Sequence, residues 1–167
     1  MNAVYGFLRI ALGWTFLWPF LDKMFGLGFT TCRDVDTSVV SVLCEKAWVS
    51  GGSPTFGFLK FATQGPFAEY YQMLAGNSFV DWLFMLGLLG IGVALLLGVM
   101  IRVAVLSGVL LLMLMFMAVL PPEHNPFIDE HVIYSLVLLS FLAVPVGSAI
   151  GLGDWWKKKT NNRFWLQ

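Results

Sequence analysis

Apolar residues in this chain fall into long unbroken runs, not into the alternation of a half-buried soluble domain. The first run extends from Val4 to Leu21 and continues to Leu27. The stretch from Val80 to Leu120 contains only Asp81 and Arg102 as charges, and a last run covers Phe127–Ile150. A helix crosses the hydrocarbon core with about 20 mostly apolar residues. As one helix, Val80–Leu120 would be about 60 Å long, about twice the core thickness. It is therefore read as two spans with a tight reversal at Gly98–Arg102. The pattern predicts an all-α integral membrane protein built as a four-transmembrane-helix bundle in a single domain. Its spans fall at about 4–27, 79–100, 103–120 and 127–150, with a long outer loop over 28–77 and a tail over 151–167.

Local signals agree with these cuts. Ser78 followed by Asp81 is a capping-box-like start for the second span. Pro121-Pro122 ends the third. Asn125-Pro126 is an N-cap and N1 pair for the fourth, and Gly151 and Gly153 close it. In the outer loop, Ser53-Pro54 starts one short helix, and Gly65-Pro66 ends it and starts another. The second would place Phe67, Tyr70, Tyr71 and Leu74 mostly on one face, as in helices lying on a membrane surface. Such helices either roof an intramembrane cavity or simply pack at the interface. Gly90, Ala94 and Gly98 repeat every four residues, which lets a second helix of the chain approach closely.

Composition strengthens the membrane reading. The chain is 58% hydrophobic and 12% charged, against about 25% charged in a soluble domain. Its formal net charge is zero, so nothing argues for a nucleic-acid partner. The lipid bilayer is the partner the composition requires. No basic residue precedes the first run, which also exceeds the roughly 7–15 residues of a signal core, so it is read as a retained span. Arg102, Lys157, Lys158, Lys159 and Arg163 lie on the side of the N-terminus, whereas Pro121–Pro126 has no Lys or Arg. The positive-inside rule then predicts both termini in the cytoplasm, with Trp155, Trp156 and Trp165 in an inner aromatic belt. Arg33, Lys46 and Lys60 in the outer loop run against this, but long loops count little.

The outer loop holds both cysteines. An oxidising outer location predicts a Cys32–Cys44 disulfide. It is either a structural staple or a redox pair, and its spacing is unlike Cys-x-x-Cys.

Charges within the apolar runs need an explanation, because ionisable groups in a bilayer are costly and usually face the bundle interior. Arg9, Gly13, Phe16, Phe20 and Lys23 fall on one line of the first helix. Arg9 near its inner end and Lys23 near its outer end either snorkel to the interfaces or serve a site or buried pair. Around Lys23 the outer ends gather Asp22, Asp81, His124, Asp129, Glu130, His131 and Tyr134. Lys23, Asp81 and His131 are the catalytic candidates. Arg9, Asp22, Asp129, Glu130 and Tyr134 are the candidates for substrate binding. A cation near an oxyanion and a His or carboxylate proton relay suit this chemistry. Each also has a simpler role: Asp81 can cap its helix, Asp129 and Glu130 can complement a helix dipole, and His131 can be a satisfied interfacial histidine. No bound metal is expected, since His124, Asp129 and His131 match no zinc spacing. No haem is expected either: Cys-x-x-Cys-His is absent, and both histidines fall at one face.

Three patterns carry a resemblance. The outer loop reads Gly51-Gly52-Ser53-Pro54-Thr55-Phe56-Gly57-Phe58-Leu59 and Thr63-Gln64-Gly65-Pro66-Phe67-Ala68. The first span reads Arg9…Leu12-Gly13…Asp22-Lys23, and Pro121-Pro122…Asn125-Pro126 precedes the fourth. Over nearly its whole length the chain resembles the DoxX family, in particular its DoxD-type branch. DoxD is the membrane subunit of a thiosulfate:quinone oxidoreductase, and other DoxX-like proteins are membrane partners of soluble redox proteins. The resemblance implies a quinone-linked sulfur or thiol redox role in a bacterial or archaeal cell membrane. It also implies quinone as acceptor and other membrane or redox subunits as partners. A non-catalytic scaffold or accessory subunit is the competing expectation. A polar pocket converging on Lys23, Asp81 and His131 would separate the two.

Overall fold

The computed structural model describes residues 2–34, 36–123, 125, 127–161 and 163, without the side chains of Asn2 and Ala149. His124, Pro126 and Trp165 therefore lie outside the described residues. The chain forms α1 (Asn2–Phe25), α2 (Ala68–Met73), α3 (Ser78–Leu97), α4 (Ile101–Ala118), α5 (Glu130–Ser140), α6 (Val146–Ala149) and α7 (Gly153–Lys159). Between α1 and α2 lie shorter helical turns at Trp48–Ser50, Phe58–Ala62 and Gly65–Phe67. Among the described residues the only β-type pairing is an isolated bridge between Arg33 and Val40.

Helices α1, α3 and α4 are each long and apolar enough to cross a membrane. This makes the chain a membrane protein. Helix α1 packs antiparallel on α3, α4 packs on both α3 and α5, and α6 returns to α1. The shared core contains Leu12, Phe16, Ile91, Leu95, Val105, Leu138 and Phe141. The predicted line on α1 points into it: Arg9, Gly13 and Phe16 are buried, and Phe20 and Lys23 are half-buried.

The fourth apolar run differs from expectation. It is helical only over Glu130–Ser140, turns through 141–145, and resumes for the single turn of α6. An 11-residue helix rises only about 16 Å at 1.5 Å per residue. Pro145 has no N–H to offer the carbonyl four residues back, and its ring crowds that carbonyl, which disfavours a helix through it, although α1 continues through Pro19. The broken segment still runs the length of the bundle, from α5 against α4 to α6 against α1.

Helix ends also move. Asn77, not Ser78, caps α3, its side chain accepting from Phe79 N at 2.9 Å. Ser78 is the first helical residue, and Asp81 is not part of a capping box. Asp129, not Asn125, caps α5, accepting from His131 N at 3.0 Å and Val132 N at 3.2 Å. Asn125 instead holds a turn ahead of the helix, accepting from Phe127 N and Ile128 N at 3.0 and 3.2 Å.

Close approach of α1 and α3 uses a different glycine from the one the spacing picks out. A Cβ on Gly92 would lie 2.9 Å from Leu17 N, and one on Gly13 would lie 2.9 Å from Leu96 N. Gly90 faces open space. Gly98 lies in the left-handed region at φ 76 and ends α3, where the chain turns back into α4.

Candidate functional site

The outer-loop segment folds over one end of the helices and is fastened there by two buried carboxylates. Asp22, in the last turn of α1, accepts from Phe29 N at 3.0 Å, Thr30 N at 2.9 Å and the Thr30 hydroxyl at 2.7 Å. It is 1% exposed, so these bonds supply what water cannot. Its backbone carbonyl also accepts from Gly26 N at 2.7 Å, closing the helix. Asp81, in the first turn of α3, accepts from the Ser53 hydroxyl at 2.9 Å, Thr55 N at 3.2 Å and the Thr55 hydroxyl at 2.6 Å. Both carboxylates thus hold backbone that returns from the loop, and hydrogen bonds to an ionised acceptor are the stronger kind.

Further along, the loop caps α4. Gln64 N donates to Ala118 O at 3.0 Å. The Gln64 side-chain amide donates to Val119 O at 3.2 Å and Pro121 O at 3.1 Å. Tyr71 donates its hydroxyl to Leu114 O at 2.8 Å. The last carbonyls of a helix have no partner within it, and Gln64 N supplies one to Ala118 O at the end of α4. Gly65 sits at φ 73, and a Cβ there would run into the Leu120 carbonyl. Cys32 and Cys44 are joined, S–S 2.05 Å. The two cysteines, the Gly51–Thr55 run and the Thr63–Phe67 run are therefore all parts of one fastened roof.

Beside Asp81 an open surface cavity of about 240 Å³ is walled by Trp48, Trp82, Ser53 and glycines 51, 52 and 76. The Trp48 and Trp82 rings meet edge to face, centroids 4.6 Å apart. Among the described residues, every hydrogen bond to the Asp81 side chain arrives at Oδ1, so one carboxylate oxygen is taken by the roof and Oδ2 is not. A Cβ on Gly52 would collide with the Lys46 carbonyl, which is why the strand of roof at the cavity edge is glycine.

The other expected site residues are held elsewhere. Lys23 donates to the Thr30 hydroxyl at 3.3 Å, beside Asp22. His131 Nδ1 lies 2.6 Å from Asp129 Oδ2, a hydrogen bond to the residue that caps its own helix. Glu130 is exposed, and Tyr134 packs half-buried against the core. Neither Lys23 nor His131 lines the Asp81 cavity. Arg9 belongs to the opposite end of the bundle. It is wholly buried, and its guanidinium donates to the carbonyls of Leu95, Leu96 and Ile150. It ties α1 to the end of α3 and to the chain just after α6, well away from any substrate at Asp81. Among the described residues no group of three or more His, Cys, Asp or Glu side chains gathers as a metal site.

Sequence reasoning missed Ser53, Thr55, Thr30 and Gln64. Their signal was present as hydroxyl and amide residues inside the glycine- and proline-rich runs, but their partners lie far along the chain. No protein-family model matches this chain, and no curated protein or solved structure does.

Proposed function

We propose that the chain is a DoxX/DoxD-like membrane redox subunit that passes electrons from thiosulfate or a thiol to membrane quinone at its outer face. The observation that carries this reading is the Asp81 cavity: a carboxylate with one oxygen not engaged by the roof, in a cavity lined by Trp48, Trp82 and part of the Gly51–Thr55 run. A carboxylate repels an oxyanion, so the cavity suits the neutral partner. The cavity is mostly polar, and what it offers a quinone ring is the Trp48–Trp82 pair and one proton-accepting group. Thiosulfate, an anion, is better met by the Lys23 ammonium.

The chemistry balances without a further reactant. Two thiosulfate ions joined through a new S–S bond release two electrons, and two thiols joined as a disulfide release two electrons and two protons. Quinone takes up two electrons and two protons to become the quinol. In this reading Asp81 passes those protons, and with thiosulfate as donor the protons come from solvent.

In this reading the roof faces the outside of a bacterial or archaeal cell, both termini are cytoplasmic, and the broken 130–150 segment is the fourth crossing. Its short helical turns lie at the interface. The test is quinone reduction by membranes carrying the protein together with whatever subunits accompany it. The reading expects thiosulfate- or thiol-dependent reduction above that of membranes lacking the chain; equal rates refute it.

A second reading is an accessory subunit with no chemistry of its own. It is favoured by Asp22 and by Oδ1 of Asp81 being committed to holding the roof. It expects a partner chain to co-purify and no donor-dependent rate.

A further inference from the structure

At the end of the bundle opposite the roof lies a second cavity, of about 280 Å³. Gly98, Arg102, Gly147, Trp156 and Lys157 line it, with the broken 141–145 turn as its wall. Two independent features make it electropositive. Arg102 and Lys157 stand in its lining, Arg102 with a partner of its own in the protein besides. Arg9 contributes from behind: a Cβ on Gly98 would sit 2.8 Å from Arg9 Nη1, so the absence of that Cβ brings a buried guanidinium up to the cavity wall.

Among the described residues that guanidinium meets no carboxylate. Its partners are carbonyls, and Nε has none. A wholly buried cation without a counter-charge is costly, and an anion nearby offsets the cost. On α7, Asp154 Oδ1 is already engaged by the Ser148 hydroxyl at 2.5 Å. The same hydroxyl takes one Lys157 hydrogen at 3.3 Å, out of the three that an ammonium carries. Trp156 in the wall and the exposed Trp155 beside it give the rim the apolar-and-wet character of a headgroup layer.

We infer that this cavity binds the phosphate of an anionic phospholipid, with Arg102 and Lys157 as direct ligands and Arg9 as the charge behind them. Basic pockets between membrane helices recognise phosphate headgroups in this way. The site does not depend on the quinone reading.

The test is native mass spectrometry of the detergent-purified protein offered phosphatidylglycerol or phosphatidylcholine, with a parallel melting assay in inorganic phosphate. Retention of phosphatidylglycerol over phosphatidylcholine is expected. Lys157→Gln should cut it about fivefold, and Lys157→Gln with Arg102→Gln about 25-fold. The exposed pair Lys158→Gln and Lys159→Gln should leave it unchanged. If the double variant does not fold, Lys157→Gln on the short α7 alone decides. Phosphate that stabilises the wild type but not Lys157→Gln, with no lipid retained, keeps the phosphate site and moves its source to the free anion. Equal retention of the two lipids without a phosphate effect, or a Lys157→Gln protein that behaves as wild type in both assays, overturns the inference.

Discussion

Thr55 gives both its hydroxyl hydrogen and its backbone N–H to a single oxygen of Asp81, at 2.6 and 3.2 Å. Both residues are nearly buried, at 5% and 6% exposure. Removing the acceptor therefore leaves donors with neither protein nor water to bond. Asp81→Ala should loosen the roof by about 3 kcal/mol, in the range for hydrogen bonds to a charged group. Limited proteolysis within residues 28–77, followed against time, reads this. Asp81→Asn keeps an acceptor oxygen and should be cleaved at close to the wild-type rate.

Gly65 presses on the Leu120 carbonyl from a left-handed backbone conformation, φ 73. Gly65→Ala adds a Cβ where there is no space and costs backbone strain of about 1–2 kcal/mol before any clash. Thermal unfolding in detergent should show a lower transition than wild type. Gly57→Ala, where a Cβ meets nothing within 4 Å, should leave the transition within a degree or so of wild type, because surface changes are usually within about 0.5 kcal/mol.

Arg9 bonds carbonyls from two separate segments, α3 and the chain after α6. Lysine has the charge but not the planar fork that reaches both. Arg9→Lys should destabilise by about 1–3 kcal/mol, and Arg9→Met by more, since each unsatisfied buried carbonyl costs about that much. Hydrogen exchange should rise at the α6–α7 connection first in both variants.

Burial raises the Tyr71 phenol above its ordinary value. The folded chain then holds the neutral phenol more firmly than the unfolded chain does. Its contribution is complete below the unfolded pKa and is lost as pH rises through the folded one. The bond to Leu114 O should therefore break only in strongly alkaline solution. Protease sensitivity at α2 should climb with pH above about 10 and be constitutive, without that climb, in Tyr71→Phe.

Much of the architecture was legible in the apolar runs, because length and hydropathy alone decide whether a helix can cross a membrane. The reversal at Gly98 followed from the length of the Val80–Leu120 run, and the buried face of α1 from helical periodicity. The break in the fourth run did not, because an apolar composition does not reveal whether the residues before Pro145 stay helical. The site was harder. Asp81 was recognisable as a charge at a helix end, but its partners Thr55 and Ser53 lie 26 and 28 residues away in sequence. No local spacing rule reaches that far. Lys23 and His131 looked alike in kind and level, yet Thr30 and Asp129 hold them in place, away from the cavity. Arg9 shared the line of Lys23 along α1, and the roughly 21 Å rise over 14 residues separates their roles.

The proposed role of Asp81 joins two demands, anchoring through Oδ1 and proton transfer through the oxygen that faces no roof donor. Asp81→Asn separates them, because an amide still accepts from Thr55 and Ser53 but does not titrate. The decisive measurement is donor-dependent quinone reduction by Asp81→Asn and wild-type membranes, with the roof confirmed intact by proteolysis. The account predicts a loss of about 100-fold or more, the scale of a general acid–base contribution. A wild-type rate with an intact roof would show that Asp81 is an anchor only.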